Sequence, residues 1–316
     1  MASILIWMSP SRVASKTLTG GLLCAISSAG FATLSILAKF VFATGMGLPV
    51  MLGLRFSGAA AILLAYLAIR RSTVWLGGPR SATLLALGGI GYAGQATLYF
   101  TGLQRAPASL SSVLLYVYPA FVALLGWAVE RRRPRASTAF ALLIALAGVA
   151  FAVGDGGWGE AGQVDPVGVA FVLASAAGYA VYIIVSHRLV PQGEALVSTF
   201  WISTGAGLSF SLAALAGSSL ESPLDPSALR LVAAMSLFST VLPLTTFLAG
   251  MARVGPTAAA LLSTLEPVFT VALAAVLLDE ALTPRQLLGA VLVLGAVVLL
   301  QAFESRLPVT SDRFHK

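Results

Sequence analysis

The chain has 316 residues, 58% of them apolar and only 10% charged, with a mean hydropathy of +0.93. So much apolar surface exceeds what one water-soluble core of this length can bury, which excludes a soluble domain and indicates an integral membrane protein. The formal charge of +7 is concentrated in short loops between apolar runs, a pattern of membrane topology with no nucleic-acid partner expected.

A helix needs roughly 20 residues to cross the hydrocarbon core. Ten stretches qualify, near 18–43, 47–69, 81–103, 106–129, 136–153, 165–187, 195–216, 227–250, 255–278 and 284–302. They lack the alternation of a membrane β-barrel, so the predicted fold class is all-α integral membrane with ten transmembrane helices. Residues 1–17 read as a cytoplasmic tail, loose or interfacial. Its SILIWM is too short for the apolar region of a signal peptide. With Met1 inside, the inner loops and termini take most of the basic residues, including Arg70, Arg71, Arg80, Arg188, Arg253 and the Arg131–Arg135 loop. Both termini are therefore expected in the cytoplasm and the chain in the cell (inner) membrane.

In the first span, Lys39 lies near the outer end and is expected to snorkel to the headgroups. Cys24 is the only cysteine, which excludes an intrachain disulfide. Arg55 sits inside the second span and must find a carboxylate or carbonyls. The third span places Tyr92, Gln95 and Tyr99 at i, i+3 and i+7. That stripe suits either a solute of mixed polarity or packing against a neighbouring helix. Gly88-Gly89-x-Gly91, and Gly205-x-Gly207 in the seventh span, allow close helix approach. The fourth span carries Tyr116, Tyr118 and Pro119. Residues 154–164, rich in Gly and acid, form an external linker. His187 ends the sixth span and is expected at the interface. Pro243 implies a bent or broken eighth span. The ninth reads LLSTLEPVFT, with Glu266 near midplane and Ser263, Glu266 and Thr270 on one face. Pro267 has no N–H, so the Ser263 carbonyl should be left without its helical donor. Glu266 either faces a cavity or bonds to a nearby carbonyl or Arg55, and it is the candidate for proton coupling. Residues 303–316 read as a cytoplasmic tail.

A constant offset of 148 relates the two halves from the first span to the fourth and then slips by two residues, Glu130 and Pro134 matching Glu280 and Pro284. It pairs Ala29-Gly30-Phe31-Ala32 with Ala177-Gly178-Tyr179-Ala180, Gly102 with Gly250, Arg105 with Arg253, and Pro119 with Pro267. Each half, 18–153 and 165–302, contains five spans. The odd number inverts the second half in the membrane, an architecture used by secondary transporters with midplane sites.

The segments GLQRAPASLSSVLLYVYPAFVALLGWAVE and GMARVGPTAAALLSTLEPVFTVALAAVLLDE carry a resemblance to the drug/metabolite transporter superfamily, EamA type. It covers nearly the whole chain, with Tyr118 in the first half where the second has Glu266. The resemblance implies a secondary transporter, expected to export small organic metabolites such as amino acids by alternating access. An uncoupled facilitator or a multidrug or other-metabolite permease is the alternative. The candidate substrate-binding residues are Gln95, Tyr99, Tyr116, Glu266, Ser263 and Tyr92, with Pro119, Pro243 and Pro267 as hinges. An enzyme is not expected, since the two histidines, His187 and His315, cannot build a metal or acid/base cluster in the membrane core. No metal or cofactor is expected, and the partners are a small-molecule substrate and the lipid bilayer. A non-transporting scaffold would have no polar route to midplane.

Overall fold

The computed structural model describes residues 10–130, 136–153, 165–189, 194–217, 224–254, 259 and 262–304. The 154–164 linker and the 305–316 tail lie outside the described residues, as do residues 1–9.

Six spans are single helices: α1 (Pro10–Ala43), α2 (Leu48–Ile69), α7 (Ala136–Val153), α8 (Pro166–Leu189), α9 (Ala195–Ala216) and α13 (Pro284–Glu304). Helix α1 begins ahead of Leu18, inside the stretch read as a tail. Proline opens several of these helices, where its fixed φ fits and its missing N–H is not needed. The α1–α2 turn is tight, closed by Gly45 at φ 81, a conformation that glycine adopts without strain.

The other four spans are interrupted. Span three runs as α3 (Gly78–Ala86), a π-helical stretch at Leu87–Tyr92, and α4 (Ala93–Arg105). Span eight runs as α10 (Pro226–Ser236), a π-helical stretch at Leu237–Val241, and α11 (Leu242–Val254). Span four breaks between α5 (Ala108–Leu115) and α6 (Tyr118–Glu130), and span nine breaks at Thr264 before α12 (Leu265–Leu277). The break expected from Pro243 in span eight therefore has a counterpart in span three, which has no proline near its π-helical stretch. There the backbone of Gly88 and Gly89 is pressed against α9, and a Cβ on Gly88 would fall 2.0 Å from the Ile202 carbonyl oxygen.

Helix pairing repeats across the halves. Helix α2 packs on α9 and α7 on α13; α1 packs on α11 as α8 does on α4; α1 packs on α12 as α8 does on α6. Single hydrogen bonds repeat too. Ser27 Oγ donates to the Pro243 carbonyl at 2.7 Å, and Ser175 Oγ, 148 residues on, donates to the Gln95 carbonyl at 3.1 Å. Gly20 lies against Gly250 and Gly168 against Gly102, the same crossing twice. The chain is an all-α membrane protein of ten helices in two repeats. Its outward faces show residues such as Ile90, Leu143 and Val276, suited to lipid.

Candidate functional site

The breaks in spans four and nine face one another. In span four the helix gives way at Tyr116 and Val117, whose N–H groups bond three residues back, to Val113 and Leu114. Pro119 follows the break, as Pro267 follows the break at Thr264 in span nine. Pro267 cannot donate to the Ser263 carbonyl. Tyr116 does so instead: its Oη lies 2.6 Å from the Ser263 carbonyl oxygen and 2.9 Å from Glu266 Oε2. The carbonyl expected to be freed is thus met by a hydroxyl from the other half. Next to it, Ser28 of α1 donates to the Leu262 carbonyl at 3.1 Å. The Ser263 hydroxyl itself turns back to the Ala259 carbonyl and Thr270 to that of Glu266, so neither joins the expected stripe through its own side chain.

Glu266 is half-buried rather than sealed. Among the described residues no basic nitrogen stands within ion-pair distance of it. A carboxyl inside a membrane-spanning segment without a cation must face a polar, water-reachable space or a partner. A run of tyrosine rings borders it. Tyr116 and Tyr118 have centroids 5.9 Å apart, Tyr118 and Tyr179 are 4.9 Å apart, Tyr179 stacks on Tyr182 at 6.0 Å, and Tyr182 meets Tyr92 at 5.2 Å. Such pairs contribute about 0.5–1.5 kcal/mol each beyond burial, and their faces attract cations. Tyr92, Tyr118, Tyr179 and Tyr182 all remain partly accessible.

The structure divides the span-three stripe. Tyr92 joins the ring wall. Gln95 is buried and donates to Ser175 Oγ at 2.9 Å, and Tyr99 is buried with its hydroxyl 2.7 Å from Ser35 Oγ. These two residues tie spans three, six and one together beside the site. Tyr179 and Tyr182 were not among the sequence candidates. Their signal was an i, i+3 aromatic pair in the sixth span that begins in the aligned AGYA motif. Arg55, 2% exposed, does not pair with Glu266. Its Nε donates to Thr240 Oγ1 at 3.1 Å, and its guanidinium lies 4.7 Å and 5.7 Å from the ring centres of Phe56 and Phe100. Pro243 presents its carbonyl to Ser27 at the edge of the second π-helical stretch.

One end of the bundle is fastened by charge. Glu280, after α12, accepts from the N–H of Ala108 and of Ser109 at 2.9 and 3.0 Å and from Ser109 Oγ at 2.8 Å, capping α5. Lys39 does not snorkel; it turns inward and donates to the Ala106 carbonyl at 2.8 Å, because this loop offers an acceptor within its reach. On the same face Arg105 pairs with Asp165 at 2.9 Å. The Arg105 hydrogen bond and the Val167 N–H hold the Asp165 carboxyl below the usual carboxylate range.

Comparison with known proteins agrees with this architecture. Residues 18–154 and 166–301 each match the EamA-like transporter family. "Uncharacterized transporter YcbK" of Bacillus subtilis (strain 168) is 30% identical over 198 residues, 61% of this chain and 63% of that protein. "Uncharacterized transporter YwfM" of the same organism is 27% identical over 210 residues, 64% of this chain and 68% of that protein. The match thus spans less than two thirds of the length of YcbK. A solved structure titled "Crystal structure of protein" superposes with a TM-score of 0.59 at 23% identity, covering 94% of this chain and 99% of that one, which supports the fold.

Proposed function

Because the chain belongs to the EamA-like transporter family, we propose that it exports small amine-bearing metabolites such as amino acids across the cytoplasmic membrane. The termini lie in the cytoplasm, and the face fastened by Glu280 lies outside. The observation that carries this reading is Glu266: a half-buried carboxyl at a helix break, free of any cation among the described residues and bordered by tyrosine rings. An ammonium group would find there both a counter-charge and aromatic faces. Tyr92, Tyr118, Tyr179 and Tyr182 wall the binding space, and Tyr116 and the Ser263 carbonyl supply polar contacts. Gln95 and Tyr99 hold the surrounding helices in place. The breaks at Pro119 and Pro267 serve as hinges, with Pro243 beside the second π-helical stretch, as the inverted repeats exchange access between the two sides.

The test is transport by the purified protein in liposomes with labelled amino acids, with and without a pH gradient. Wild-type vesicles should accumulate at least one amine-bearing solute above protein-free vesicles, and Glu266→Gln should lower that rate tenfold or more. A wild type that carries no amine-bearing solute overturns the proposal, as does a Glu266→Gln variant that matches the wild type.

A further inference from the structure

Tyr116 has one hydroxyl hydrogen and two acceptors within reach, the Ser263 carbonyl oxygen at 2.6 Å and Glu266 Oε2 at 2.9 Å. We propose that this hydrogen is the coupling element of the transporter, given to the Ser263 carbonyl when Glu266 carries a proton and to Glu266 when it does not. The inference rests on the reading of Glu266 as the substrate site and adds how its occupancy reaches the helix backbone.

The two states follow from donor counting. With a proton on the carboxyl, the Glu266 O–H donates to Tyr116 Oη and the Tyr116 O–H donates to the Ser263 carbonyl, so all three groups are satisfied. When the proton leaves to the solution that the site faces, the carboxylate becomes acceptor-only. The Tyr116 hydrogen swings to it, since a hydrogen bond to a charged acceptor is roughly twice as strong as one to a neutral carbonyl. The Ser263 carbonyl is then left without a donor, because Pro267 has no N–H to offer. A backbone acceptor unsatisfied inside the membrane is costly, with no water there to bond it, and the chain relieves that cost by changing the bend at Thr264 or admitting water. A proton on one side chain thus acts on the hinge of span nine through a hydroxyl from the other half. A substrate ammonium that engages the carboxylate would compete for the same oxygen and so acts on the same hydrogen.

The groups facing Glu266 leave this hydrogen decisive. They are Tyr116 after α5, Tyr118 at the start of α6, Tyr179 of α8 and, at longer range, Tyr99 of α4. Among the described residues no basic nitrogen reaches the carboxyl. Of these residues Tyr116 alone touches both the carboxyl and the freed carbonyl.

The experiment measures substrate exchange in liposomes as a function of pH for the wild type, Tyr116→Phe and Pro267→Ala, with infrared difference spectra of the same proteins. Tyr116→Phe removes the hydrogen. Pro267→Ala leaves the hydroxyl in place but gives the Ser263 carbonyl its helical donor back. The wild-type rate should change at least about fivefold between about pH 6 and pH 8, against a ceiling near tenfold per pH unit for one proton. Both variants should change by less than about twofold over that range. The infrared spectrum of the wild type should show loss of the Glu266 carboxylic band together with a shift of a tyrosine hydroxyl band, and in Tyr116→Phe the carboxylic band should still be lost while the tyrosine shift is absent. A wild-type pH profile retained by either variant overturns the proposal. If a variant does not fold or carry substrate, the wild-type spectrum decides: carboxyl titration without the tyrosine shift also overturns it. Transport that survives with an unchanged profile in Tyr116→Phe refutes the coupling role alone, whereas a wild type that carries nothing refutes the substrate reading.

Discussion

A methyl group added to Gly88 or to Gly205 should destabilise the protein sharply, while the same change at Gly94 should not. A Cβ on Gly88 would lie 2.0 Å from the Ile202 carbonyl oxygen, and one on Gly205 would lie 2.0 Å from the Leu85 carbonyl oxygen. Carbon and carbonyl oxygen approach to about 3.3 Å, so the two backbones must part by about 1.3 Å at either point. The obstructing atoms are main chain, which has no alternative rotamer to adopt. A gap of that size forfeits a quarter to a half or more of the dispersion energy along the seam. We therefore take the upper part of the overpacking range, about 3 kcal/mol, for either single substitution.

The assay is thermal unfolding in detergent. A loss of about 3 kcal/mol should lower the unfolding temperature by on the order of 5–10 °C. Gly94, with nothing within 4 Å of the site of its Cβ, is the control. Gly94→Ala removes a flexible residue from a helix and should leave the temperature unchanged or raise it, by up to about 1 kcal/mol in stability. Gly88→Ala with Gly205→Ala should cost less than the sum of the two, since either one already opens the shared seam. If Gly88→Ala unfolds at the same temperature as Gly94→Ala, close backbone approach is not what shapes span three. The π-helical stretch, and the position of Tyr92 at its end, then have another cause.

Glu280→Ala should lower stability by about 1–2 kcal/mol in the same unfolding assay, because two N–H groups and a hydroxyl at the start of α5 lose their acceptor. Asp165 gives a pH test. Its carboxyl is held below the usual range, chiefly by the Arg105 hydrogen bond. The pair's contribution is therefore complete above the ordinary carboxylate value near 4 and disappears only as the pH falls through the lowered one. The unfolding temperatures of wild type and Asp165→Asn should differ little, since the pair is exposed, and by a constant amount from about pH 5 to pH 8. A gap that closes within that range would place the titrating group elsewhere.

The apolar runs, the inverted repeat and the Glu266–Pro267 anomaly were legible because each depends on local chemistry: run length, shared register, and a missing N–H. What stayed hidden depends on which faces meet. Gln95 has the same appearance in sequence whether its amide lines a cavity or bonds to Ser175, and only the pairing of α4 with α8 decides. Tyr179 and Tyr182 are ordinary residues of an apolar helix until that helix is laid against α6. Lys39 was expected to snorkel because span-end lysines usually lack a partner, and the nearby Ala106 carbonyl could not be seen from the sequence. The π-helical stretch of span three carries no proline to announce it, since its cause is contact with another helix.

The difference between the halves carries more meaning than their likeness. Under the 148-residue offset Tyr116 corresponds to Thr264, and Tyr118 to Glu266, while Pro119 and Pro267 agree. The first half therefore brings two hydroxyls to the facing breaks, and the second brings a carboxyl beside a carbonyl that has lost its helical donor. A glutamate in both halves would set two carboxyls near each other, and like charges would then disfavour having both ionised. A tyrosine in both would leave no carboxyl there. With one of each, a single carboxyl stands among the described residues where the halves meet, and the hydroxyl that bonds to it belongs to the opposite repeat. If Glu266 is the site proposed above, its occupancy is felt by both halves at once, as alternating access between inverted repeats requires.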